Sequence, residues 1–185
     1  GANNLSGEWG HSYFPFEDGT IEDFLSGTSL SRIFEKKNNK KLKAFEIFEL
    51  YRKKDTQAET IIEQYKESLA ISLCYVINVL DPDAIVFGGG VSNEITFFDE
   101  VKKKIENQLK VNKLNTAFIP MRKPDKLPAE TFKVKFDLEY GSTEMHLHKD
   151  ALDNHKNILI IDDDERLREL LEDYLLEKIQ KKRAV

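Results

Sequence analysis

The segment from Ala58 to Asn93 constrains this chain more than any other. Ile61, Ile62, Tyr65, Leu69, Leu73, Val76, Ile77 and Leu80 recur at helical spacing, which predicts one long helix over residues 58–80. Its second half is apolar nearly all round, so burial is expected there. Asp81-Pro82 stops the helix. Ala84-Ile-Val-Phe87 is a short apolar run, followed by Gly88-Gly89-Gly90 and then by Ser-Asn-Glu, a helix start. Strand, turn and helix in that order are the building unit of a parallel α/β sheet.

The flanks add elements of the same kind. Residues 1–20, rich in Gly, Asn and aromatics, read as strand ends and loops. Residues 21–34 begin a helical pattern with Phe24, Leu25, Leu30 and Ile33 inward. The basic run 35–43 reads as a solvated loop or helix end. Residues 95–109 predict an amphipathic helix with a basic outer face. Thr116 to Pro120 reads as a strand, and Phe132-Lys-Val-Lys-Phe136 alternates cleanly. Residues 142–156 are polar and His-rich and read as a linker. In it, His146, His148 and His155 lie near Asp150 and Asp153, which suits either a solvated linker or metal capture. Asn157-Ile-Leu-Ile-Ile161 is a buried-type strand ended by Asp162-Asp-Asp-Glu165. Leu167, Leu170, Leu171, Tyr174, Leu175 and Ile179 then form one helical stripe, with acidic residues at its start and Lys181, Lys182 and Arg183 at its end, matching a helix dipole. No internal repeat is present.

Composition excludes several function classes. With 185 residues, 40% apolar and 33% charged, the chain can bury a core of ordinary size. No apolar run reaches the roughly 18 residues of a membrane span. The net charge of -5 argues against a general nucleic-acid binder. Cys74 is the one cysteine, so no internal disulfide forms and a reducing cytoplasm is expected. The chain opens on Gly1 with no leader pattern, which points to a piece or a processed product rather than to export.

Two clusters carry chemistry. Gly88, Gly89 and Gly90 directly after a buried strand let backbone approach a ligand closely, and the helix they open offers free N–H groups. A tight turn without a ligand explains them equally well. The second cluster is Ser6-Gly-Glu-Trp-Gly-His11 with Glu22 nearby. Two carboxylates and an imidazole suit a polyol, whose hydroxyls need donors and acceptors. A structural His in a Gly-rich loop and ordinary first-turn charge at Glu22 are the competing readings.

Gly-Glu-Trp-Gly-His, then Ile21-Glu-Asp-Phe-Leu-Ser-Gly27, then Val79-Leu-Asp-Pro-Asp-Ala-Ile-Val-Phe-Gly-Gly-Gly-Val-Ser-Asn93 together resemble the second half of ROK sugar kinases, in the correct order. The fructokinase and glucokinase members are the most similar, and the likeness covers about residues 1–140. It implies a partial RNase H-like or actin-like ATPase lobe of the α/β class, with a hexose as substrate and ATP with Mg²⁺ as phosphoryl donor. It implies that Glu8, His11 and Glu22 bind sugar hydroxyls and that Gly88, Gly89 and Gly90 line the adenosine side of a nucleotide pocket. It also implies that two copies pair through this lobe. The helix-turn-helix of ROK-type repressors is not seen.

The chain departs from the family in three ways. The phosphate motifs and the aspartate base of family members would precede Gly1, so no catalytic residue is assigned, and phosphoryl transfer, which depends on positioning and electrostatics, is not expected from this chain alone. The three zinc-binding cysteines expected after the histidine are replaced by Ser-Tyr-Phe-Pro-Phe-Glu-Asp-Gly-Thr20, so zinc is not expected. The family's closing Gly-rich segment is replaced by Asn157-Ile-Leu-Ile-Ile-Asp-Asp-Asp-Glu-Arg-Leu-Arg-Glu-Leu-Leu-Glu-Asp-Tyr-Leu175, which resembles the opening strand and helix of response-regulator receivers. That second likeness implies Mg²⁺ at Asp162 and Asp163. The expected organisation is a kinase lobe over 1–141, a linker over 142–156 and a receiver-like strand and helix over 157–185. The expected function is a hexose-kinase piece. A non-catalytic sugar-binding or dimerisation lobe and a two-component signalling remnant are the alternatives.

Overall fold

The computed structural model describes residues 9–14, 18–122, 130–138, 141–148, 150–152 and 155–161. The helix expected over residues 167–179 lies outside them. The chain divides into two compact units, one of Gly1–Asp81 with Glu94–Asn115 and one of Pro82–Asn93 with Thr116–Val185.

The first unit is helical. It holds a 3-10 turn at Trp9–His11, α1 (Glu22–Leu25), α2 (Gly27–Asn38), α3 (Ala44–Arg52), α4 (Thr56–Leu80) and α6 (Phe98–Leu109); α5 (Gly89–Ser92) belongs to the second unit. Asp55 caps α4 by accepting the Ala58 N–H at 3.0 Å, and Asp81 ends it in the left-handed conformation at φ 42, just before Pro82. Ile61, Ile62, Tyr65, Leu69, Leu73 and Ile77 are buried, as their spacing predicts. The aromatic core joins three elements. Phe48 stacks on Phe97 at 6.2 Å, and Tyr65 meets both rings edge-on.

The end of α4 differs from expectation. Tyr75, Val79 and Leu80 are 52%, 80% and 56% exposed. A 25-residue helix spans about 37 Å, well beyond the 9 residues of α3 and the 12 of α6 beside it.

Within this core Lys66 is fully buried. Its ammonium donates to Tyr51 Oη at 2.8 Å and to Glu63 and Glu100 at 2.6 Å each, and lies 5.0 Å from the Tyr51 and Phe97 ring centres. Burial acts to lower its pKa, but the hydrogen bonds it donates to Glu100, Glu63 and Tyr51 outweigh burial and hold it above the usual lysine range.

The second unit contains a three-stranded parallel sheet in the order β2-β1-β5, with β1 at Ala84–Phe87, β2 at Ala117–Pro120 and β5 at Ile158–Ile161. α5 is the short helix Gly89–Ser92, and β3 (Thr131–Leu138) pairs antiparallel with β4 (Gly141–His148). Every residue of β1 is buried, as a central parallel strand requires. Ala84 and Val86 pack with Ile119, Met121, Met145, Leu147 and Leu152.

Two expectations change here. Residues 142–156 are not a simple linker, because Gly141–His148 forms β4. Met145 and Leu147 point into the sheet's core, the alternation that histidines obscured in the sequence. β5 is half-buried rather than buried, as an edge strand. It joins the sheet directly beside β1.

Asp83 connects both edges. Its carbonyl accepts the Ala117 N–H at 2.8 Å, and its N–H donates to Asn157 O at 2.8 Å. Its carboxylate accepts the Lys156 and Asn157 N–H groups at 2.9 and 3.0 Å. These two bonds, with smaller contributions from nearby His155 and Lys156, hold the carboxyl below its ordinary 3.8.

Two predictions follow from these contacts. A depressed carboxylate pKa stabilises the fold above the unfolded value and stops doing so as pH falls through the folded one. Thermal unfolding should therefore show Asp83→Asn less stable than wild type at pH 7, with the gap closing below pH 3.8. A constant gap down to the lowest pH would contradict the assignment. In denaturant titrations, Lys66→Ala should cost about 2–4 kcal/mol through lost packing and unpaired carboxylates. Lys66→Met, which keeps the stem, should cost under about 1.5 kcal/mol.

Candidate functional site

In the first unit, His11 and Glu22 come together. His11 Nε2 lies 3.2 Å from Glu22 Oε2, and both side chains are more than half exposed, at 67% and 54%. Local structure explains the meeting. Trp9–His11 forms a tight turn closed by the Ser12 N–H donating to Trp9 O at 3.1 Å. The chain then doubles back: Phe14 N–H donates to Gly19 O at 2.8 Å, Ile21 N–H donates to Ser12 O at 2.9 Å, and Tyr13 bridges Thr20. Glu22 is thereby delivered to the start of α1.

The loop is pinned from behind. Phe14 is buried and lies 4.8 Å from the Phe24 ring. Asp23 accepts from Thr20 N–H at 2.9 Å and from the Thr20 hydroxyl at 3.0 Å. These bonds, and Arg32 beyond them, hold its carboxyl below the usual range. The Ser29 hydroxyl donates to Glu22 O at 2.9 Å, tying the site to α2. The Trp9 indole N–H is buried with no partner among the described residues, so a donor stands in the same turn as His11. Glu8, the third expected sugar ligand, lies outside the described residues.

The glycine turn belongs to the second unit. Gly88 leaves β1 extended, with its N–H donating to Ile161 O at 2.7 Å. Gly89 has φ +73, a conformation side chains disfavour. A Cβ on Gly90 would meet nothing within 4 Å, so space is open beside the backbone. The helix start differs from expectation: α5 begins at Gly89 and has only four residues. So short a helix carries little dipole, and the turn offers shape and open space rather than a charged helix end. It sits at the carboxyl ends of β1, β2 and β5, where open α/β sheets bind ligands.

Sequence reasoning missed two neighbours of this turn. Ser92, buried at 2% exposure, donates to Gly89 O at 2.8 Å, with Met121 O at 3.2 Å. Arg122 Nη1 donates to Ser92 O at 2.7 Å. No local pattern signals the Arg122–Ser92 contact, because it spans 30 residues.

Asp162 and Asp163, the expected Mg²⁺ ligands, lie outside the described residues, as does Asp153. Among the described residues no three His, Cys, Asp or Glu side chains group as a metal site would require. His146 is instead buried within the hairpin, with Nδ1 3.3 Å from Thr131 Oγ1 and Nε2 3.3 Å from Glu144 Oε2. No helix among the described residues is long and apolar enough to cross a membrane.

Fold and site together define a mixed α/β protein built on a parallel sheet, with an exposed carboxylate–imidazole pair and a glycine turn at the sheet's carboxyl edge. The chain belongs to the ROK family, whose model matches residues 1–127. It is 30% identical over 138 residues to N-acetyl-D-glucosamine kinase of Shigella boydii, covering 65% of this chain and 44% of that one. A separate likeness is to adenine phosphoribosyltransferase of Crocosphaera subtropica, 54% identical over 50 residues, or 27% of this chain and 29% of the relative. Among solved structures, the ROK hexokinase from Thermus thermophilus matches with TM-score 0.57 and 21% identity over 68% of this chain and 46% of that one. A ROK family glucokinase from Streptomyces griseus, in complex with glucose and AMPPNP, matches with TM-score 0.50 and 18% identity over 62% and 46%. The chain thus spans less than half the length of each of these relatives.

The two glycines should respond differently to a methyl group. Gly89→Ala should lose about 1–2 kcal/mol in denaturant titration, because φ is positive there. Gly90→Ala should stay within about 0.5 kcal/mol of wild type. Equal losses would show that the turn is not shaped as described.

Proposed function

We propose that this chain supplies the sugar-facing and adenosine-facing surfaces of an ATP-dependent hexose kinase. The observation that carries the reading is the His11–Glu22 pair at 3.2 Å, lying inside the family match. A carboxylate and an imidazole, both reachable from solvent, can pair with several hydroxyls at once, the carboxylate accepting and the imidazole donating or accepting. Glu8 would join them as a third ligand. The kinase relatives act on hexoses by name, and the Streptomyces griseus structure contains glucose and AMPPNP, which supports a hexose and ATP. Fructose remains in the proposed substrate class.

The open space at Gly90 fits a nucleotide's adenosine side against Gly88, Gly89 and Gly90. Bound there, ATP with Mg²⁺ would supply the phosphoryl group. No aspartate base is assigned within these 185 residues, so the chain alone is expected to bind sugar without turnover. Pairing of two copies and a cytoplasmic setting belong to the same proposal, and zinc does not.

A second reading has its own observation, the 54% identity to a phosphoribosyltransferase. We place it in the C-terminal part, since the family match stops at residue 127 and the two aligned shares fit side by side. On that reading Asp162 and Asp163 descend from a phosphoribosyl-transferring site, and adjacent carboxylates suit a hydrated Mg²⁺ or ribose hydroxyls. It competes with the receiver reading of residues 157–185. It does not replace the sugar reading of the first unit.

Calorimetric titration with glucose, N-acetylglucosamine, fructose and mannose tests the main reading. At least one should bind saturably, and Glu22→Gln and His11→Gln should each weaken it about tenfold, equivalent to about 1.4 kcal/mol. Absence of saturable binding by the whole panel would sink the proposal. Sugar-dependent ADP release by the chain alone would sink the claim that it lacks a base.

A further inference from the structure

We infer that Ser92 and Arg122 are positioning residues that set the shape of the Gly88–Gly90 turn, and through it the affinity for a nucleotide. The inference rests on the nucleotide reading above and extends it to residues that touch no ligand.

The turn has little to hold it by itself. Three consecutive glycines have the largest backbone entropy to lose on ordering, and α5 adds only four residues. The shape must be held by side-chain bonds, one from within α5 and one from beyond it. Ser92 holds it on the inner side. Its buried hydroxyl donates to Gly89 O at 2.8 Å and lies 3.2 Å from Met121 O, so one hydroxyl spans the turn and the end of β2.

Arg122 does so from the next residue along. Its guanidinium donates to Ser92 O at 2.7 Å, a charge-assisted bond of the stronger kind. Arg122 is itself fixed. Its N–H donates to His146 O at 2.9 Å, and the His146 N–H donates to Arg122 O at 2.6 Å. His146 in turn is buried within the β3–β4 hairpin. A continuous hydrogen-bonded path therefore runs from β4, through Arg122 and Ser92, to Gly89. Gly90, one residue on, faces open space. Ser92 and Arg122 lie inside the family match, and β4, which anchors Arg122, lies beyond its last residue, so the brace is held by a part of the chain outside that match.

A nucleotide that binds against a turn already in shape does not have to order it, and affinity rises accordingly. Loosening the brace should weaken nucleotide binding without touching the sugar site, whose contacts lie in the other unit.

The experiment uses the full chain with two probes, AMPPNP and glucose. Arg122→Gln removes the charged donor, Arg122→Lys keeps one, and Ser92→Ala removes the hydroxyl. The expected result is AMPPNP affinity about tenfold weaker in Arg122→Gln and Ser92→Ala. Arg122→Lys should return to within about threefold of wild type, and glucose affinity should be unchanged throughout. In ¹⁵N spectra the Gly89 and Gly90 amides should shift in Arg122→Gln and return towards wild type in Arg122→Lys, a recovery that a general loss of stability would not produce. Unchanged AMPPNP affinity in Arg122→Gln would overturn the inference while leaving the nucleotide reading intact. No AMPPNP binding by wild type would overturn the nucleotide reading and this inference with it. Equal weakening of both probes in Arg122→Gln would mark general unfolding and overturn the positioning role.

Discussion

The second unit depends on one short strand being hydrogen-bonded on both sides. β1 has four residues, too few to fix register by length alone, since a slip of one residue would turn every side chain to the opposite face. Register is set instead at its ends. Asp83 takes an N–H from the β2 side and several groups from the β5 side before the strand begins. At the other end, Gly88 N–H donates to Ile161 O, and Phe87 O accepts from Met121. Ala84 and Val86 are thereby fixed toward the core of this unit, and the glycine turn must emerge at the carboxyl edge. The position of the candidate nucleotide surface follows from where Asp83 sits.

The first unit solves a different problem, that of presenting two polar side chains on a short loop. Loops carry function best when a rigid scaffold positions them. Here the scaffold is the Phe14–Phe24 contact, the Thr20–Asp23 turn and the Ser29 bond to Glu22 O. None of these groups needs to touch a ligand. Each removes a way for Glu22 to turn away from His11. The aromatic cluster around Phe97 and the buried Lys66 hold α3, α4 and the start of α6 together. Lys66 is tolerated in an apolar setting because its two carboxylate partners remain half-exposed. The charges are paired while the acids keep part of their hydration.

What the sequence made legible was what local patterning controls. The helix over residues 58–80, its stop at Asp81-Pro82, the strand Ala84–Phe87 and the alternating run at 132–136 all appear in the structure, because their periodicity matches the elements they form. The His11–Glu22 meeting was visible only as two polar residues in a family motif; the loop that joins them depends on backbone bonds between Phe14, Gly19 and Ile21 that no spacing encodes. β4 was hidden because His146 and His148 mask the Met145–Leu147 alternation, and its core position is decided by Ala84 and Val86, more than 55 residues earlier in the chain. Lys66 carries no mark in the helical pattern, since its partners Tyr51 and Glu100 come from two other elements. Ser92 and Arg122 failed for the same reason: a contact across 30 residues leaves no mark in either segment alone.

The sheet also bears on how the chain's two likenesses relate. The family match ends at residue 127, yet β5 begins at Ile158 and pairs with all four residues of β1. Met145, Leu147, Leu152, Ile158 and Ile160, all past that boundary, complete the cluster around Ala84, Val86, Ile119 and Met121. Parallel sheets are stable when both faces and both edges of their central strands are covered, and here the later residues provide one edge and much of one face. An appendage would leave β1 with a single neighbour and its Ala84–Val86 face uncovered. The observed arrangement gives β1 two neighbours and makes the later segment part of the same cooperative core, so the glycine turn of the kinase-like stretch is shaped by residues outside that stretch.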